Sequence, residues 1–83
     1  MIKYKGGVKM VYPVHLDSKE KIEKISNLAC KEPFDIWISS DMDMLNAKSL
    51  LGLYSLVGKD VLVVAEDNAN PERFLRVVRK MVA

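Results

Sequence analysis

The 83-residue sequence predicts one α+β domain in which three helices cover one face of a four-stranded antiparallel sheet. Four short segments are predicted as strands that each have one apolar face, and three segments carry apolar residues at helical spacing. The segments follow each other in the order β-α-β-β-α-β-α. An open-faced β-sandwich buries all of these apolar faces in one core. No linker, repeat or low-complexity stretch interrupts the sequence, so we expect a single domain over residues 1–83.

Composition restricts the function classes. Apolar residues make up 49% of the chain, enough for one small core, and the formal net charge is only +2. Basic and acidic residues alternate in the first predicted helix, so neither a nucleic-acid nor a membrane partner is expected. The N-terminus lacks the apolar run of a secretory signal and no segment reaches membrane-spanning length, which makes a cytoplasmic location the expectation.

The first strand is predicted from Lys9 to Leu16. One face carries Met10, Tyr12, Val14 and Leu16, and the other carries Lys9, Val11, Pro13 and His15. Because proline cannot donate to a strand ladder, Pro13 favours a place at a sheet edge. Gly6 and Gly7 predict a break, which leaves residues 1–6 as either a tail or an extension of the edge strand.

The first helix is predicted over about Ser18 to Lys31. Asp17 would cap it, with Glu20 reaching back in an acidic capping box. Its apolar stripe consists of Ile22, Ile25, Leu28 and Ala29. Pro33 ends the helix, because the residue before a proline is pushed out of the helical region. Cys30 is the single cysteine, so no intrachain disulfide forms, and we expect a half-buried, unreactive thiol.

A pair of strands is predicted next, from Phe34 to Ser39 and from Met44 to Asn46, joined by a turn. Trp37 alternates away from the apolar face, and an exposed tryptophan there would mark an oligomer or partner surface. The aspartates nearby are Asp35, Asp41 and Asp43. They lack the glycine turn and closing glutamate of a calcium loop, so we interpret them as turn carboxylates and expect no metal site.

The second half of the chain holds two helices and one strand. An apolar helix is predicted from Ala47 to about Leu56, ended by Val57-Gly58-Lys59. The near-continuous apolar run from Asp60 to Ala65 predicts a central strand. A final helix starts at Asn70-Pro71 with a cap residue and a proline at its first position. It would bury Phe74, Val77, Val78 and Met81 and expose Arg73, Arg76, Arg79 and Lys80.

The segment Lys48-Ser49-Leu50-Leu51-Gly52-Leu53-Tyr54-Ser55-Leu56 resembles the regulatory-serine helix of HPr, the phosphocarrier of the bacterial sugar phosphotransferase system. The element order is also similar to that of HPr, and the match extends from about Lys9 to Val82. The resemblance implies a strand order of 1-4-2-3. It also implies a cytoplasmic bacterial protein related to sugar transport that is not an enzyme, needs no cofactor and acts on protein partners of the phosphotransferase and catabolite-control type.

The resemblance implies that Ser49 is a regulatory phosphorylation site. Lys48, Leu50, Leu51 and Tyr54 would then form the surface on which family partners dock. The residues alone leave alternatives open, since Ser49 can be simply a cap or first-turn residue and the apolar side chains can be ordinary core residues. A partly exposed Leu50 or Leu51 would favour docking.

The resemblance also implies that the carrier site is degenerate in this sequence. An ungapped match places Ser18, Glu20 and Lys21 where HPr has its phosphorylated histidine, an arginine and a proline. A serine phosphate ester is too stable for a phosphoryl relay, and Glu20 would repel the phosphate that arginine binds. His15 is the single histidine and lies three residues upstream, so it is the alternative phosphoacceptor.

Three hypotheses follow. The first is a regulatory or adaptor protein that acts through protein contacts and is switched at Ser49. The second is a divergent phosphocarrier that accepts phosphate on His15 from enzyme I. The third is a purely structural or binding module with the HPr fold. The sequence leaves the partner, the pathway and the oligomeric state open.

Overall fold

The computed structural model describes residues 2–3, 10–41, 43–66 and 69–82. The elements in chain order are β1 (Ile2–Lys3), β2 (Met10–His15), α1 (Lys19–Cys30), β3 (Ile36–Ser39), β4 (Met44–Asn46), α2 (Leu50–Leu53), a 3-10 turn (Tyr54–Leu56), β5 (Asp60–Ala65) and α3 (Pro71–Val82). Both predicted long helices and all four predicted strands are present. Of the turn predicted between β3 and β4, Met42 lies outside the described residues.

The sheet is antiparallel with the order β1-β2-β5-β3-β4. Without the short β1 this is the predicted order 1-4-2-3. In β1, Ile2 pairs with Val11, so this part of the 1–6 segment extends the sheet; residues 1 and 4–6 lie outside the described part. Pro13 pairs with Leu62 of β5 and has no partner in β1 among the described residues, consistent with its missing donor.

The core lies between the inner face of the sheet and the helices. Its fully buried large side chains include Leu16, Ile22, Ile25, Ile36, Ile38, Leu53, Val63, Phe74, Val78 and Met81. The helical spacing in α1 and α3 and the alternation in the strands place these residues on facing surfaces. The predicted apolar stripe of α3 is buried in full, and its four basic residues are exposed.

The outer face of the sheet is less exposed than the alternation predicts. Val11 and Val64 are only 1% and 5% exposed, although neither belongs to the main core cluster. Val11 lies opposite Val64, which lies opposite Trp37, so the three form one cross-strand row. Trp37 is half-buried rather than exposed, because a row of large apolar side chains shields its own members.

Three local expectations are corrected. Ser18, not Asp17, is the N-cap of α1, and its Oγ accepts a hydrogen bond from the backbone N–H of Lys21 at 3.2 Å. Cys30 is exposed at the last position of α1. The helix predicted from Ala47 is a four-residue α2 followed by the 3-10 turn, because Asn46 captures the amides that would open a longer helix.

None of the helices in the described ranges combines the length and apolarity that crossing a bilayer requires.

Phe74→Ala should be among the most destabilising substitutions in the chain. Phe74 is fully buried between α3 and the sheet, so its truncation leaves a cavity that costs about 3 to 5 kcal/mol. Urea unfolding followed by circular dichroism measures the loss. Leu75→Ala, next to it but half-buried, is the control and should cost clearly less. Equal losses would contradict the packing described for α3.

Candidate functional site

Ser49 lies at the N-cap of α2 with an exposed side chain. Its backbone N–H donates to the carbonyl of Asn46 at 2.9 Å, and its carbonyl accepts from Leu53 at 3.2 Å. The hydroxyl makes no capping hydrogen bond. The backbone of Ser49 therefore fixes the turn, and the side-chain oxygen is accessible for chemistry.

A small polar network holds the turn before Ser49. Asn46 accepts the Lys48 amide through Oδ1 at 2.9 Å and donates through Nδ2 to Asp35 Oδ1 at 3.4 Å. The Lys48 ammonium lies 3.7 Å from the same carboxylate oxygen. The backbone N–H of Ala47 donates to the carbonyl of Ile36 at 2.8 Å. These contacts tie the start of α2 to the beginning of β3 and fix the position of Ser49.

The four predicted docking residues divide into two pairs. Leu51 is 83% exposed, and Lys48 is exposed beside Ser49. Leu50 and Tyr54 are partly buried and pack against the core cluster. Leu51 is therefore the apolar side chain that protrudes into solvent, while Leu50 and Tyr54 anchor the segment to the core.

Tyr54 joins α2 to α1. Its hydroxyl donates to Glu23 Oε2 at 2.7 Å, and the Lys19 ammonium lies 5.7 Å from its ring centroid, a cation–π distance. The hydrogen bond to Glu23 raises the pKa of Tyr54, with smaller contributions from desolvation and from the Glu23 charge. The protruding segment is thus fastened to the first helix by a polar contact that the sequence did not reveal.

The three residues that the resemblance aligns with the HPr carrier site lie at the start of α1. Ser18 is occupied as the helix cap, Glu20 is exposed and Lys21 is half-buried. A shallow depression of about 330 Å³ lies beside them, lined by Asp17, Glu20, Lys21, Lys24, Met81 and Val82. Carboxylates and ammonium groups alternate around it, so its charge does not select an anion strongly.

His15 lies elsewhere, at the end of β2. Its Nδ1 is 2.7 Å from Oδ1 of Asp60, its cross-strand partner in β5. The imidazole is 54% exposed, as the strand alternation predicts. His15 and Ser18 are therefore different sites: one pairs across the sheet, and the other caps a helix.

Two of the predicted turn carboxylates lie near this end of the sheet. Asp41 and Asp43 are exposed around a turn closed by the Ser40 N–H on the Asp43 carbonyl at 2.8 Å. Within the described residues, no group of three or more His, Cys, Asp or Glu side chains converges as a metal site requires.

Comparison with known proteins identifies the fold. No protein-family profile and no curated protein matches the sequence. Among solved structures, HPr-C-His from Thermoanaerobacter tengcongensis is similar with a TM-score of 0.68 and 24% identity over 87% of this chain and 90% of that one. The phosphocarrier protein HPr from Bacillus anthracis str. Ames is similar with a TM-score of 0.67 and 21% identity over 89% and 98%. The chain has the fold of HPr.

Sequence reasoning missed three functional neighbours. Asn46, Glu23 and Asp60 each contact a residue that the sequence singled out. The contact of Asn46 could be predicted locally, because an asparagine side chain often accepts a hydrogen bond from the backbone N–H two residues later and so forms an Asx turn. Glu23 and Asp60 lie 31 and 45 positions from their partners, so only the tertiary pairing reveals them.

Ser18→Ala and Ser49→Ala should differ in stability, although both remove an N-cap serine. The Ser18 hydroxyl caps α1, so its loss should cost about 1 kcal/mol. The Ser49 hydroxyl caps nothing, so its loss should stay within about 0.5 kcal/mol. Urea unfolding of the two variants in parallel tests this; a larger loss for Ser49→Ala would show that the caps have been assigned wrongly.

Glu23→Gln should lower the pKa of Tyr54 toward its ordinary value. The carboxylate favours the protonated phenol both as acceptor and as a negative charge, so removing the charge eases ionisation. An NMR titration of the tyrosine ring resonances between neutral and alkaline pH measures the shift. Glu20→Gln removes a charge from the same helix and should leave Tyr54 unchanged. An unmoved Tyr54 in Glu23→Gln would contradict the α1–α2 link.

Proposed function

We propose that this HPr-fold chain is a regulatory or adaptor protein of the phosphotransferase type, which acts through protein contacts and is not a phosphoryl carrier. The observation that carries the proposal is the exposure of Leu51, 83%, next to the accessible Ser49 hydroxyl. In this proposal the protein is a non-enzymatic bacterial protein of the cytoplasm. Its partners are proteins of sugar transport or catabolite control, and neither nucleic acid nor membrane is among them.

The exposed leucine supports docking because it contributes little to folding. Leu53 and Leu56 in the same segment are buried, and Leu50 packs against the core, so the apolar face is already complete without Leu51. A side chain with this exposure gains burial only in a complex. Lys48 beside it offers a cation, so the surface suits a partner with an apolar pocket and a carboxylate rim.

Ser49 is the proposed switch. A phosphate on its hydroxyl would add about two negative charges beside Leu51 and next to Lys48. The phosphate would also compete with Asp35 for the Lys48 ammonium. In the unmodified protein, Lys48 Nζ lies 3.7 Å from Asp35 Oδ1. Phosphorylation would thus change the charge of the docking surface without removing a hydrogen bond that holds the fold.

The loss of carrier activity is supported by the chemistry at α1. A relay needs a nitrogen nucleophile whose phosphoramidate is readily transferred, and Ser18 offers an oxygen already used as a helix cap. Glu20 adds a negative charge where a phosphate would sit. These two features argue against phosphoryl transfer through this position.

A second candidate is a divergent phosphocarrier that uses His15. The observation in its favour is an exposed imidazole whose Nδ1 is bonded to a carboxylate, as in many reactive histidines. A structural or binding module without any phosphorylation is the third candidate, and it rests on the fold alone.

Phosphorylation in vitro distinguishes the three candidate functions. The purified protein is incubated with HPr kinase and ATP, or with enzyme I and phosphoenolpyruvate, and the phosphate is read by intact mass and acid stability. The proposal expects acid-stable phosphate from the kinase that Ser49→Ala abolishes, while Ser55→Ala, on the same segment, retains it. Leu51→Ser should slow the kinase reaction by removing the apolar contact.

Acid-labile phosphate from enzyme I, lost in His15→Ala, would instead establish the carrier. Phosphate from neither donor would leave only the binding or structural module.

A further inference from the structure

His15 and Asp60 form a carboxylate–imidazole pair with a defined geometry. The two residues face each other where β2 and β5 pair, and Nδ1 lies 2.7 Å from Oδ1. An ionised carboxylate only accepts hydrogen bonds, so Nδ1 must carry a proton. The neutral imidazole then has its lone pair on Nε2.

The two ring nitrogens of His15 also differ in their access to solvent. The imidazole is 54% exposed, and Nδ1 is the nitrogen covered by the carboxylate. The Asp60 side chain is itself 90% exposed, so it contributes little to folding and is free to contact the imidazole. The strand pairing holds both backbones, which limits the freedom of the pair to separate.

From this geometry we infer that Asp60 positions His15 so that Nε2 is the reactive nitrogen of its imidazole ring toward acyl and phosphoryl electrophiles. Asp60 is a positioning residue: it fixes the tautomer and stabilises the positive charge that develops on the ring during attack. The inference goes beyond the adaptor role and holds whether or not Ser49 is phosphorylated.

The test uses diethyl pyrocarbonate, an uncharged acylating agent that the carboxylates Asp41, Asp43 and Asp60 do not repel. The Nε2 lone pair attacks one carbonyl carbon, the bond from that carbon to the bridging oxygen breaks, and ethyl carbonate leaves. The ring is then cationic until the Nδ1 proton is lost to solvent. No oxidant or reductant takes part.

Two measurements are made on the full chain at about pH 8.5, above the ordinary titration range of histidine. Long-range proton–nitrogen NMR assigns the tautomer before reaction, and peptide mass spectrometry with NMR of the product gives the rate and the acylated nitrogen. The wild type should be protonated on Nδ1 and acylated on Nε2.

Asp60→Ala should mix the tautomers, place part of the product on Nδ1 and slow acylation by about two- to fivefold, the range expected for an exposed charged contact. Asp41→Ala removes an equal charge from the neighbouring turn and should change none of these. His15→Ala confirms the site of reaction.

A wild-type imidazole protonated on Nε2, acylation on Nδ1, or an Asp60→Ala variant with the wild-type tautomer and rate would each overturn the inference. None of these results depends on a kinase or on enzyme I. A failure of the adaptor proposal therefore remains distinguishable from a failure here.

Discussion

Burial of β5 is the constraint on which the rest of the structure depends. This strand pairs with β2 on one side and β3 on the other, and Val61, Val63 and Ala65 face the helices with almost no exposure. Because strand side chains alternate, fixing these residues inward fixes the register of both neighbouring ladders. A slip of one position would exchange the core face for the outer face. The positions of both His15 and Ser49 depend on that register.

The consequences of the register differ between the sites. At the start of β5 it places Asp60 directly opposite His15, which creates the carboxylate–imidazole pair. At the other edge β3 holds β4, and Ile36 accepts the Ala47 amide, so the turn before Ser49 begins at a fixed point. The sheet therefore fixes the backbone positions from which the Ser49 hydroxyl and the His15 imidazole project, although neither side chain contributes to the core.

The sequence was sufficient for the architecture because its signals were periodic and local. The stripe of α3, the apolar run of β5 and the Asn70 cap are each encoded within a few residues, and all three agree with the structure.

Other features depend on competition between neighbouring residues or on tertiary packing. The prediction of Asp17 as the N-cap of α1 is wrong because Asp17 and Ser18 are adjacent capping residues and propensity does not choose between them. The length of the second helix was overestimated because Asn46 competes for the amides at its start. The contacts of Tyr54 and His15 could not be predicted, since they join residues brought together only by tertiary packing.

Ser18 illustrates why fold and phosphoryl transfer are separable, because capping a helix and carrying a phosphoryl group require different chemistry. The N-cap position of α1 requires only a side-chain acceptor for an unpaired amide, and the Ser18 hydroxyl meets that need at 3.2 Å. A phosphoryl relay requires in addition a nitrogen nucleophile and a cationic environment, and Glu20 provides the opposite charge. The folding requirement can be satisfied while the chemical one is lost, because the two depend on different properties of the same residue. The HPr fold therefore does not by itself require the chemistry of a phosphoryl carrier.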